Sequence, residues 1–142
     1  MKFIAASLAQ FALPAVLLGG CASAGGYDDA CNNAAFLAAQ HAHVNHAEVT
    51  FCGPVVRVKA PKRTRSGVHR YIYIDAGHGD VVEVDANLDE MGNFPVRAGE
   101  QAVVRGEYYY DQSGREGVHW THHTDRGSHP PGYLILDGTT YR

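Results

Sequence analysis

Charged residues are scarce, at 19% of the chain, and their balance is −3 with histidine neutral. There is no basic excess, so an overall field that draws the protein to nucleic acid is excluded. Cysteine is limited to three residues, too few for a disulfide-dense scaffold. After residue 18 no apolar run reaches the length of a membrane span. No Gly-x-Ser-x-Gly nucleophile motif occurs. What the chain does have is 45% hydrophobic residues over 142 positions, enough for one ordinary globular domain. It also has 16 glycines, 8 tyrosines and 9 histidines, a composition that leans towards short strands and tight turns.

The first segment reads as an address. Met1-Lys2 is positive, and residues 3–18 are mostly apolar and uncharged, the layout of a secretory signal. Leu18-Gly19-Gly20-Cys21 resembles the bacterial lipobox. Cys21 is therefore expected to carry lipid and to anchor the chain in a membrane through acyl chains. Cleavage after Ala22-Ser23-Ala24, giving simple secretion, is the alternative. The expected division is a signal at 1–20, a tether at 21–28 and a single domain at 29–142, located in the periplasm or at the outer membrane. Lipidation of Cys21 leaves Cys31 and Cys52 to pair in an oxidising compartment. The bridge would close a loop of about 20 residues and stabilise the fold by roughly 3 kcal/mol.

Asp28-Asp29 can cap a helix over 29–40, rich in Ala, Leu and Gln. His41, His43 and His46 follow, read as a solvated helix end, with metal binding as the rival. Strand signals then come in series. Residues 49–59 form the first, bent at Gly53-Pro54, and a polar basic loop covers 60–67. Residues 68–75 alternate, placing His69, Tyr71 and Tyr73 on one face and Arg70, Ile72 and Ile74 on the other. Further strands are expected at 81–85, 101–110 and 117–124, with a closing hairpin at 134–142. Five strands in this order predict a mainly β fold, a small five-stranded OB-like barrel with an N-terminal helix and a short C-terminal hairpin. An SH3-like barrel or a small sandwich is the alternative.

The run Gly106-Glu107-Tyr108, then Gly117-Val118-His119-Trp120-Thr121-His122-His123, His129, Gly132-Tyr133, Gly138 and Tyr141 resembles an uncharacterised bacterial exported family, a domain of unknown function. Gly67-Val68-His69 resembles that family's Gly-x-His. The resemblance covers about residues 49–142 and implies class and location, not mechanism.

On a regular strand over 117–124, His119, Thr121 and His123 would share one face, with Val118, Trp120 and His122 on the other. His119 and His123 would then stand about 13 Å apart, too far for one metal ion. The motif therefore needs partners from elsewhere, and His69, Glu107 and His129 are the ones expected. The candidate polar cluster is His69, Glu107, His119, Trp120, Thr121, His122, His123 and His129. His119, His122 and His129 are the candidate ligands should zinc or copper bind. The expected function is a non-enzymatic, monomeric envelope binding module, presenting this His/Trp face to a polar ligand or partner. A transition-metal binding protein is the alternative. His119, His122 and Glu107 could pair for acid–base chemistry, but without a nucleophile motif catalysis is disfavoured. Nucleic acid is also disfavoured, despite Lys62, Arg63 and Arg65 in the first loop and stacking aromatics at Tyr71 and Tyr73.

Overall fold

The computed structural model describes residues 31–142. The expected signal, Cys21, the tether and Asp28-Asp29 lie outside the described residues. Helix α1 (Asn33–His41) starts with Asn32 as its cap, whose side chain accepts from the Ala35 amide at 3.0 Å. The helix therefore begins later than the Ala-rich composition suggests. An asparagine oxygen that satisfies an orphan N–H defines the start more sharply than propensity does.

Eight strands follow: β1 (Ala47–Val58), β2 (Lys62–Thr64), β3 (Gly67–Asp75), β4 (Val81–Asn87), β5 (Gln101–Tyr110), β6 (Glu116–His119), β7 (Tyr133–Leu136) and β8 (Thr139–Tyr141). A short helix α2 (Leu88–Met91) follows β4. The strands β1, β3, β4, β6 and β5 pair in that order, and β1 pairs β5 to close the ring. The β4–β6 pair is parallel and the other barrel pairs are antiparallel. This is the expected OB-type barrel. The bend in β1 appears as a register shift between Val55 and Arg57, just after Gly53-Pro54. It lets one strand serve β5 with its first half and β3 with its second. The basic loop is more ordered than expected, because Lys62–Thr64 folds back on β3 as a two-residue hairpin.

Alternation fills the interior with Phe51, Val55, Ile72, Ile74, Val82, Val84, Val104, Tyr108 and Val118, all buried. Phe36 of α1 closes one end, stacked on Phe51 at 4.2 Å and edge-on to Tyr108 at 6.2 Å. Burying such a ring is worth about 3 kcal/mol, which fixes the helix more firmly than its nine residues could alone. The Cys31–Cys52 disulfide forms beside this contact.

The expected strand over 117–124 is corrected. β6 ends at His119, and the reason is topological. β6 lies along the C-terminal half of β5, from Glu107 to Tyr110. β7 occupies the same edge from Ala102 to Arg105. A longer β6 would run into β7, so the chain leaves the sheet at Trp120, whose φ is +54°. For a bulky residue this region is costly, by about 1–3 kcal/mol. The surroundings over-determine it: the Gly132 amide donates to the His122 carbonyl at 2.9 Å, which clips the departing chain against the start of β7.

Candidate functional site

The outward side chains of the barrel fall into rows that cross the strands. Register places Tyr71 opposite Asp85 and Tyr73 opposite Glu83. The parallel Val84–Val118 pair and the Glu107–His119 pair extend the first row. It therefore runs Tyr71, Asp85, His119, Glu107. In the second row, Gly117 stands between Glu83 and Tyr109. A Cβ at Gly117 would come 2.7 Å from the Glu83 carbonyl oxygen and 2.9 Å from the Tyr109 hydroxyl. The absence of a side chain there lets the Tyr109 ring lie across β6.

The rows line an open groove of about 720 Å³ bounded by Lys59, Lys62, Tyr71, Glu83, Asp85, Tyr109, Asp111, Arg115 and His119. Its walls are phenol and imidazole rings, with Tyr109 and His119 at 5.1 Å. Cations stand along its rim, where Lys59 lies 3.4 Å from Glu83 and 4.8 Å from the Tyr73 ring. Arg115 pairs with Asp111 at 2.8 Å. Burial pushes the Tyr109 hydroxyl up to about 12, and Glu83 and Asp85 add to the shift. The phenol thus stays a neutral donor facing the groove. Burial also raises the Asp85 carboxyl above its ordinary value, against the opposing pull of His69 and His119.

Glu107 is the hub of the next cluster. Only 7% of it is exposed, and its Oε1 meets His46 Nδ1 at 2.8 Å and His119 Nε2 at 3.1 Å. Burial works to raise the carboxyl, but the two imidazoles together hold it below its usual value. A depressed carboxylate stabilises the fold above its unfolded pKa of about 4.3, and that contribution is lost as pH falls through the lower folded value. Glu107→Gln should therefore unfold at lower urea than the parent at pH 7, with the gap closing below pH 4 or so. A gap that stayed constant with pH would show that charge is not what the pair contributes.

The motif itself assembles into rings. His119 and Trp120 stack at 4.6 Å, Trp120 and His129 at 4.8 Å, and His122 meets His129 edge-on at 4.8 Å. Thr121 is fully buried, with its hydroxyl donating to the Asp85 carbonyl at 3.3 Å. His122 and His129 each donate Nδ1–H to a neighbouring carbonyl, of His123 and Pro130. His123 turns outward to Asp125 at 3.3 Å. A small cavity of about 380 Å³ opens between His122, His129 and Glu90.

Of the three expected partners, Glu107 and His129 join the motif. His69 does not, being engaged by Asp85 at 2.6 Å and Ser66 at 3.0 Å. Among the described residues, no three of His, Cys, Asp and Glu stand close enough together to hold a metal ion. The helix-end histidines separate: His41 reaches Asp80, His43 stacks on Tyr110 and His46 reaches Glu107. Reading residues alone missed Ser66, Tyr109 and Arg115, and did not bring His46, Lys59 or Asp85 to this site. Only the register across β4, β6 and β5 could have placed Asp85 and Tyr109 beside His119.

No match is found among curated proteins. Residues 21–142 match the profile of a family described as "Protein of unknown function (DUF3465)". The match spans most of the chain, barrel, ring stack and closing hairpin together, and the protein belongs to that family.

Proposed function

We propose that this protein is a binding module of the cell envelope, exported and anchored by lipid on Cys21, whose groove takes a polar ligand with stackable faces. One observation carries the reading. Tyr71, Tyr109 and His119 line the same open groove as Glu83, Asp85, Lys59 and Arg115. Aromatic walls with a few convergent polar groups are the chemistry of a ligand site. Strands β3 and β4 and the two loops beside them are also the surface that OB barrels use for extended ligands.

The charges select within that class. Glu83 and Asp85 lie between the aromatic residues, where a nucleic-acid backbone would be repelled. Cations at the rim and carboxylates on the floor suit a sugar chain that bears hydroxyl, amide or amino groups. The His/Trp stack adjoins the groove through His119 and holds that ring in place.

The test is a chemical-shift titration of the ¹⁵N-labelled full chain with an N-acetylglucosamine tetramer, an oligogalacturonate and a single-stranded DNA decamer. Shifts should gather at Tyr71, Asp85, Tyr109 and His119 for a saccharide, and Tyr71→Ala should weaken binding at least tenfold, about 1.4 kcal/mol. Saccharide shifts confined to other surfaces, or DNA binding alone, would overturn it. Zinc and copper titrations give the competing reading its own arm: joint shifts of the His119, His122 and His129 imidazoles would replace the groove reading. Incorporation of labelled palmitate, lost in Cys21→Ser, tests the anchor.

A further inference from the structure

The tip of the β2–β3 hairpin holds a cluster that shares only Asp85 with the groove. β2 ends at Thr64 and β3 begins at Gly67, leaving Arg65 and Ser66 as the turn. Thr64 Oγ1 lies 3.2 Å from the Ser66 amide and 3.1 Å from its hydroxyl, which fixes the serine on the turn. Ser66 Oγ lies 3.0 Å from Nε2 of His69. The other ring nitrogen, Nδ1, lies 2.6 Å from Asp85 Oδ1. The diagonal contact from β3 to β4 is set by register, since Asp85 faces Tyr71 two residues along from His69.

The order of exposure matches the roles. Ser66 is open to solvent, while the His69 side chain is 10% exposed and that of Asp85 20%. An ionised Asp85 accepts Nδ1–H, which leaves the Nε2 lone pair to accept the serine proton. Nucleophile, base and orienting carboxylate are recognised by geometry rather than by sequence position. Lys62, directly across from His69, and Arg63 and Arg65 beside it make this end of the hairpin basic.

We propose that Ser66, His69 and Asp85 form an acyl-transfer site, with Ser66 the nucleophile, His69 the general base and Asp85 the positioning residue. The substrate class is a carboxylic ester whose acyl part carries negative charge. Ser66 Oγ bonds to the acyl carbon as its proton passes to His69 Nε2. The C–O bond to the leaving alcohol breaks, and His69 returns the proton to the departing oxygen. Water then attacks the acyl-serine by the same route, releasing the carboxylic acid and restoring the Ser66 hydroxyl.

The test uses the full chain with diisopropyl fluorophosphate, read by intact mass and peptide mapping. A single adduct on Ser66 is expected, with loss of fluoride. Ser66→Ala should abolish it, and His69→Gln should slow labelling at least 100-fold. Asp85→Asn should slow it at least tenfold with the unfolding midpoint unchanged. Ser66 is exposed, so its alanine variant keeps the fold and remains informative if His69→Gln does not. Absence of the adduct, or labelling of Ser66 at an equal rate in His69→Gln and Asp85→Asn, would reduce the cluster to a turn hydrogen bond. Ser66→Ala separates this site from the groove: labelling is lost there while the saccharide shifts at Tyr109 and His119 persist, because Ser66 does not line the groove.

Discussion

Gly132→Ala is expected to destabilise the protein by about 3 kcal/mol, at the upper end of what overpacking costs. Gly132 needs no unusual φ, so the cause is steric. A Cβ would sit 2.0 Å from the Trp120 carbonyl oxygen and 2.7 Å from that of Arg105. Both are backbone atoms and neither can swing aside. To make room, the loop must lift from β5, breaking the bond between the Gly132 amide and the His122 carbonyl. Trp120 would then lose the support that holds it at φ +54°. Because it is the only tryptophan, its near-ultraviolet circular dichroism and fluorescence report the stack directly. The variant should lower the unfolding midpoint by more than 10 °C or so and weaken the tryptophan signal before global unfolding. An unchanged midpoint with a native tryptophan spectrum would show that the loop is not clipped in this way.

Reduction of Cys31–Cys52 is expected to cost a similar amount. The bridged residues are 21 apart in sequence, and releasing a loop of that size removes about 3 kcal/mol in the chain-entropy account. The local cost is softened by Asn33, whose side chain donates to the Cys52 carbonyl at 2.7 Å and accepts from its amide at 2.9 Å. Cys52→Ser should therefore lower the urea midpoint but leave a cooperative transition, and Asn33→Ala on that background should cost more than on the parent. Matching midpoints with and without reductant would contradict the bridge as a stabilising element. Equal costs for Asn33→Ala on both backgrounds would show that the two clamps act independently.

The alternating pattern of β3 was plain in Val68–Asp75, and Ile72 and Ile74 point inward as it predicts. Strand order followed from the spacing of turns. The strand over 117–124 was misread, because local residue preference does not record which edge of β5 is already taken. Nothing in His119-Trp120-Thr121 announces that β7 occupies the rest of that edge. The pairing of Glu107 with His119 was expected, whereas His46 was not. His46 reaches Glu107 from the segment leading into β1, 61 positions away, and only closure of the barrel brings the two together. The meeting of Ser66 and Asp85 at His69 stayed hidden for a like reason. A serine three residues before a histidine is unremarkable until a carboxylate arrives from the neighbouring strand.

The pairing of β1 with β5 joins Ala47 to Tyr108 across more than half the domain. Contacts that close so long a loop form slowly, because the chain entropy is lost before they contribute. The β2–β3–β4 meander, Ser66, His69, Asp85 and Tyr71 included, is local and can form early. The Glu107 cluster must wait for the last seam. In a folding experiment followed by stopped-flow fluorescence and pulsed hydrogen exchange, amides of β3 and β4 should gain protection before those of β1 and β5. The tryptophan signal should follow the slower phase. The groove is thus assembled in two instalments, one wall from the β3–β4 hairpin and the other from the β5–β6 hairpin, which meet when β6 pairs with β4.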